Sequence, residues 1–175
     1  MPNTYDLISS TTLASNQQNV SFSSIPQTYS DLVFKISART NRANTIDRFG
    51  VYFNLSKSIA ITEENLQGNG TAASASAQTT NFQTIEAFMN ADSSTENAFS
   101  NIELYIPNYS NGRITVAKPF NLVVCQVNNT TTAYVNLTAG MRNSTAAITD
   151  VTFTSDYYSS QFAIGSSFFL YGIKQ

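Results

Sequence analysis

The chain has 175 residues, 42% hydrophobic and 12% aromatic, enough for one domain with a substantial core, since a chain this size buries roughly 70% of the surface its unfolded form exposes. Only 11% of residues are charged and the formal net charge is −2, so no clustered Lys and Arg field exists to gather nucleic acid; Arg39 and Arg42 come nearest to a basic patch. Histidine is absent, which removes the commonest general base, the commonest metal ligand and every His-containing triad.

Ser, Thr, Asn and Gln, roughly 40% of the residues, take the place of the missing charges. The N-terminus, MPNTYDLISSTTLASN, has neither a basic n-region nor a long apolar stretch, so no secretory signal is expected. No run approaches 18 apolar residues, so no membrane-spanning segment is expected either.

Along the chain the apolar residues recur mostly at period two, the spacing of half-buried strands. Tyr5 to Ser9 is a short apolar run, and Val20 to Ile25 alternates until Pro26 stops it. Asp31 to Arg39 sets Leu32, Phe34, Ile36 and Ala38 on one face, and Arg48 to Leu55 sets Phe49, Val51 and Phe53 likewise. Gln67 to Asn81 is the one low-complexity stretch; its glycines and Ala/Ser alternation have little to bury and predict a long flexible loop. Asn81 to Ala91 fits one short helix or one strand.

Phe99 to Ile106 places Ile102, Leu104 and Ile106 inward, and the Asn111-Gly112 pair that follows predicts a hairpin turn into Ile114 to Ala117. Phe120 to Val127, Ala133 to Thr138, Ala147 to Thr154 and Phe168 to Ile173 complete nine or ten short strands. Both faces of the last strand are apolar, which predicts an internal strand. The expected fold is all-β, a jelly-roll-like antiparallel β-sandwich with at most one short helix, in a single domain over residues 1–175.

No catalytic, cofactor or metal site is expected. Glu63 and Glu64, the adjacent carboxylates, point apart in a strand and read as solvated surface. Asp150 and Asp156 lack companions at calcium-ligand spacing. The lone Cys125, in NLVVCQV, reads as a small buried hydrophobe. Candidate interaction residues are Gly68, Asn69, Gly70, Thr71, Ser74 and Ser76 in the predicted loop, with Tyr109, Tyr157 and Tyr158 as exposed aromatic contacts, because a tyrosine face suits sugar stacking or protein contact.

Two stretches carry a resemblance. Tyr5, Leu7, Ile8, then Val20, Phe22, Ile25, Pro26, then Tyr29, Asp31, Leu32 resemble the opening of a group of tailed-bacteriophage virion proteins. Gly165-Ser166 followed by Leu170-Tyr171-Gly172-Ile173 resembles the ending of the same group. The resemblance implies a β-sandwich virion structural protein, a class in which capsid-decorating and tail-associated proteins can share such modules; the favoured expectation is a non-enzymatic capsid decoration or cement protein. Its partners would be the major capsid protein or other virion proteins, in a homo-oligomer such as a trimer. The alternative is a tail-fibre or baseplate module that binds host glycan. The ends are also expected to lie together, with Pro26 and Gly172 at corners.

Overall fold

The computed structural model describes residues 4–80, 87–110, 117–127, 133–155 and 159–174. Twelve strands run through them: β1 (Tyr5–Thr12), β2 (Asn19–Phe22), β3 (Asp31–Ala38), β4 (Ile46–Phe53), β5 (Ile61–Gly68), β6 (Ala73–Thr80), β7 (Ala87–Asn90), β8 (Ser100–Ile106), β9 (Lys118–Val127), β10 (Ala133–Arg142), β11 (Val151–Thr154) and β12 (Ser167–Ile173). A wide sheet has the order β1-β12-β3-β8-β9-β10-β5-β6 and a narrow one the order β2-β11-β4-β7, and the paired strands are antiparallel throughout. No helix occurs among the described residues, and so none long and apolar enough to cross a membrane.

Setting aside the hairpins β5–β6 and β9–β10 leaves two four-stranded sheets, β1-β12-β3-β8 and β2-β11-β4-β7. Successive strands cross between these sheets at every step except β4 to β7, which is the wrapped order of a jelly roll. The expected jelly-roll-like β-sandwich is therefore formed, and the two hairpins extend one sheet beyond β8. Of the segment left open between helix and strand, residues 87–90 are strand β7, while residues 81–86 lie outside the described residues. Asn111-Gly112 and the segment after it, through residue 116, also lie outside them.

Alternation explains why these segments form strands and which faces they bury. Leu32, Phe34, Ile36 and Ala38 of β3, Phe49, Val51 and Phe53 of β4, and Ile102, Leu104 and Ile106 of β8 all point into the core. Its centre is aromatic. Phe22, Phe34, Phe49, Phe153, Phe162 and Phe168 form a connected set of ring contacts with centroids 5.1 to 6.3 Å apart, in the offset and edge-on geometries that aromatic quadrupoles favour.

The apolar chain end finds its burial here. β12 lies between β1 and β3, with Tyr5 opposite Ile173, Leu7 opposite Tyr171, and Gly172 opposite Leu32. Phe168 and Leu170 enter the core, and Phe169, Tyr171 and Ile173 are half-buried on the outer face. The chain ends are thus neighbours, as expected. Gly172 makes no corner, however: it sits inside β12, where a Cβ would overlap the ring of Tyr29. Absence of a side chain lets that ring close the core. Gly172→Ala is expected to cost about 1–3 kcal/mol, as overpacking does. A shift of less than about 0.5 kcal/mol in a urea titration would mean that Tyr29 moves aside freely.

Arg39 and Arg42 are structural clamps rather than a basic patch. Arg39 is buried and donates to the carbonyls of Ala91 and Asp92 at 3.0 and 3.1 Å. Arg42 donates to the carbonyl of Ile46 at 3.2 Å and lies 3.7 Å from the buried carboxylate of Asp47.

Candidate functional site

The extension of the wide sheet breaks the pattern that governs the rest of the molecule. A sheet with one solvated face ordinarily turns its apolar residues inward and its polar ones outward. On β10 the sense is reversed. Asn136, Thr138 and Arg142 point inward and are buried, while Val135 (52% exposed), Leu137 (47%) and Met141 (41%) point outward. β5 shares the reversal in part, with Glu63 and Asn65 inside and Leu66 outside at 57%.

Asn65, Asn136, Thr138 and Glu63 find hydrogen-bond partners locally, which lowers the cost of the reversal, while Arg142 Nε on β10 has none among the described residues. Asn65 Nδ2 donates to Thr138 Oγ1 at 2.9 Å, and Asn136 Oδ1 accepts from the backbone N–H of Phe88 at 3.1 Å. Gln78 Nε2 donates to Glu63 Oε1. The Phe88 ring also packs on Tyr134, centroids 5.2 Å apart, joining the narrow sheet's edge strand to β10. Buried polar groups cost little once hydrogen-bonded. Glu63 and Glu64 do point apart, as the sequence predicts, but Glu63 is buried and belongs to this network rather than to solvated surface.

Strand register gathers the outward apolar residues into one patch. Leu137 stands opposite Val123 of β9 and Leu66 of β5, and Leu66 stands opposite Ala75 of β6. The neighbouring row holds Cys125, Val135, Gly68 and Ala73, and Val127 lies at the rim. Cys125 is accordingly half-exposed on this face instead of buried in the core, because β9 turns Phe120, Leu122 and Val124 inward. Contiguous exposed apolar surface of this kind marks interaction sites.

Toward β1 the same face becomes aromatic. A shallow depression is lined by Tyr5, Val33, Lys35, Glu103 and Tyr171, with Lys35 and Glu103 paired across β3 and β8. Tyr105 beside it donates its hydroxyl to Asp31 Oδ2 at 2.9 Å; burial, and then this bond and the carboxylate's charge, hold its pKa above the usual tyrosine value.

The predicted interaction residues fare unevenly. Gly68, Asn69, Gly70, Thr71, Ser74 and Ser76 do not form a long loop. Gly68 ends β5, Ser74 and Ser76 belong to β6, and only a tight turn separates the strands. In that turn Asn69 Oδ1 accepts from the N–H groups of Thr71 and Ala72 at 3.0 and 2.7 Å, and Gly70 takes the positive φ of 83°. Ladder bonds from β5 hold what composition alone reads as flexible.

Tyr109 is no exposed contact. It is fully buried in the core, its hydroxyl donates to the carbonyl of Pro26, and burial raises its pKa. Tyr157 and Tyr158 lie outside the described residues. Among the described residues no three His, Cys, Asp or Glu stand together as metal ligands. Leu66, Val135, Leu137 and Met141 were missed by sequence reasoning, although the period-two signal that reveals them was present.

Comparison with known proteins gives no match to any family model, curated protein or solved structure.

Proposed function

We propose that this chain is a non-enzymatic structural protein of a tailed-phage virion, foremost a decoration or cement protein that seats the apolar outer face of its wide sheet on the capsid. The reversed alternation of β10 carries the proposal. Val135, Leu137 and Met141 gain nothing from exposure to water, and their burial against a partner would contribute where the isolated chain leaves it undone.

The resemblance at the two chain ends supports the same reading. Part of it falls together: Tyr5, Leu7 and Ile8 lie on β1, Tyr171-Gly172-Ile173 lie opposite on β12, and Tyr29 covers Gly172, while Val20 and Phe22 lie on β2 of the narrow sheet. Asp31, at the start of the adjoining β3, accepts from Tyr105 and from the N–H of Asn108 at 2.9 Å each. The mechanism is mechanical. Copies bridging neighbouring capsomers add buried area that opposes internal pressure, and weak contacts repeated over a symmetric lattice add through multivalency. A net charge of −2 spares such closely spaced copies strong mutual repulsion.

Copy number per purified particle, measured by quantitative mass spectrometry, tests the placement. A value on the order of hundreds, in a simple ratio to the shell protein, is expected from symmetric coverage. Leu66→Glu with Leu137→Lys, which set opposite charges facing each other across β5 and β10, should lower shell occupancy at least tenfold at unchanged thermal stability, since each buried Leu contributes about 1.5–3 kcal/mol. Full occupancy by that variant would remove the apolar face from the contact.

A second reading, host-glycan recognition by a tail-fibre or baseplate module, draws on the Tyr5 and Tyr171 depression. A copy number of a few to a few tens, with glycan-array binding lost on Tyr171→Ala, would favour it.

A further inference from the structure

Strand edges that end in solvent are templates for pairing, and folded chains ordinarily defend them. Of the four sheet edges formed by the described residues, three are defended or short. β1 is broken by a bulge between Leu7 and Ser9, and its Asp6 pairs with Lys174. β2 and β7 have four residues each. β6 differs. It closes the wide sheet with eight residues, ASASAQTT, free of charge and proline and in unbroken one-to-one register with β5. Residues 73–77 are exposed on both sides of the sheet, so among the described residues nothing crowds an incoming strand from above or below.

We propose that β6 is a self-association edge, and that its occupant is β6 of a second copy of this chain, paired antiparallel about a two-fold axis normal to the sheet. The symmetry suits the edge. An isologous contact must be complementary to itself, and a neutral strand of small side chains meets its own copy with no like charges opposed. The exposed carboxylate of Glu64 lies one strand inside the edge. Across the pair the two copies of it are about three strand spacings of 4.8 Å apart, beyond the Debye length of about 8 Å.

The side chains argue for a second copy of the same sheet over a foreign peptide. β6 offers Ala and Ser on alternate faces and no pocket between them to select an alternate side chain, the device by which added peptides are recognised. A two-fold axis normal to the sheet also leaves both outer faces on one side. The patch of Val135, Leu137, Leu66 and Ala75 then runs without interruption from one copy into the next. This inference stands on the edge alone and holds whatever the apolar face binds.

Sedimentation velocity on the full chain between about 1 and 100 μM, with hydrogen exchange read by mass spectrometry, tests it. The expected mass rises to two copies of the 19.1 kDa chain, and the amides of β6 slow as concentration rises. Ser76→Lys opposes like charges across the axis and should weaken association at least tenfold with thermal unfolding unchanged. Leu137→Lys, on the outer face, should leave the dimer intact. One-copy mass throughout overturns the proposal. So does a three-copy mass, which antiparallel edge pairing cannot produce, or a dimer that survives Ser76→Lys with β6 exchange independent of concentration. Dimerisation lost on Leu137→Lys alone overturns it too, because the contact would then be face to face.

Discussion

Replacing Phe153 by alanine is expected to lower the free energy of unfolding by about 4 kcal/mol, within the range for aromatic-to-alanine changes in a packed core. Phe153 is fully buried on β11, and its ring meets four others: Phe34 at 5.1 Å, Phe49 at 5.5 Å, Phe168 at 5.8 Å and Phe22 at 6.3 Å. Phe34 and Phe168 belong to the wide sheet, Phe22 and Phe49 to the narrow one. The ring is therefore a joint between layers rather than one residue among many. β11 is also the strand to which both β2 and β4 pair, so a cavity there loosens three strands together. Against a typical stability of about 5–15 kcal/mol the loss is a large fraction. Chemical denaturation of the variant measures it; Phe153→Leu should cost much less, about 1.5 kcal/mol or under if the neighbours repack. A loss under about 1 kcal/mol for the alanine variant would mean that the two sheets do not depend on this joint.

Asp47→Ala is the second large effect, expected at about 3–5 kcal/mol by analogy with removing one partner of a buried charge network. The carboxylate is fully buried on β4. Thr40 Oγ1 donates to it at 2.7 Å, the N–H of Arg48 donates at 2.8 Å, and Ser160 adds a further bond. Ser160 is itself tied to Ser155, whose hydroxyl donates to the Ser160 carbonyl at 3.0 Å. One side chain thus fastens β4 to the turn after β3 and to the segment before β12. Removing it leaves several buried donors unpaired, and that desolvation penalty, more than any attraction lost, sets the magnitude. Asp47→Asn keeps the shape but offers only one accepting oxygen where both now accept, so it should fall between the wild type and Asp47→Ala. If the Asn variant matched the wild type in a urea titration, the charge and the second oxygen would have no part in stability.

Much of the molecule is legible residue by residue. Whether a segment is a strand depends on local alternation, and the chain carries this plainly in β3, β4 and β8, where every residue predicted inward is buried. The absence of helical spacing, and two apolar faces on the last strand, led equally directly to an all-β sandwich with that strand inside a sheet.

Elsewhere local signals were insufficient because the deciding partner is distant in sequence. Alternation shows that β10 has two faces, but not which one meets the core. That depends on Phe88 and Asn65, which bond and pack against its polar side. Ala73 to Thr80 has a composition that reads as loop, yet β5 supplies its ladder partners across a turn set by Asn69 and Gly70. Tyr109 looked like a surface tyrosine until Pro26, 83 positions away, provided a carbonyl for its hydroxyl inside the core. Gly172 looked like a corner until the Tyr29 ring closed over it. By itself the sequence determined the strand periodicity and the all-β class, since those depend on neighbours two residues apart. The tertiary structure alone decided the orientation of the added strands and the apolar face they present, because burial is a property of what packs against a residue.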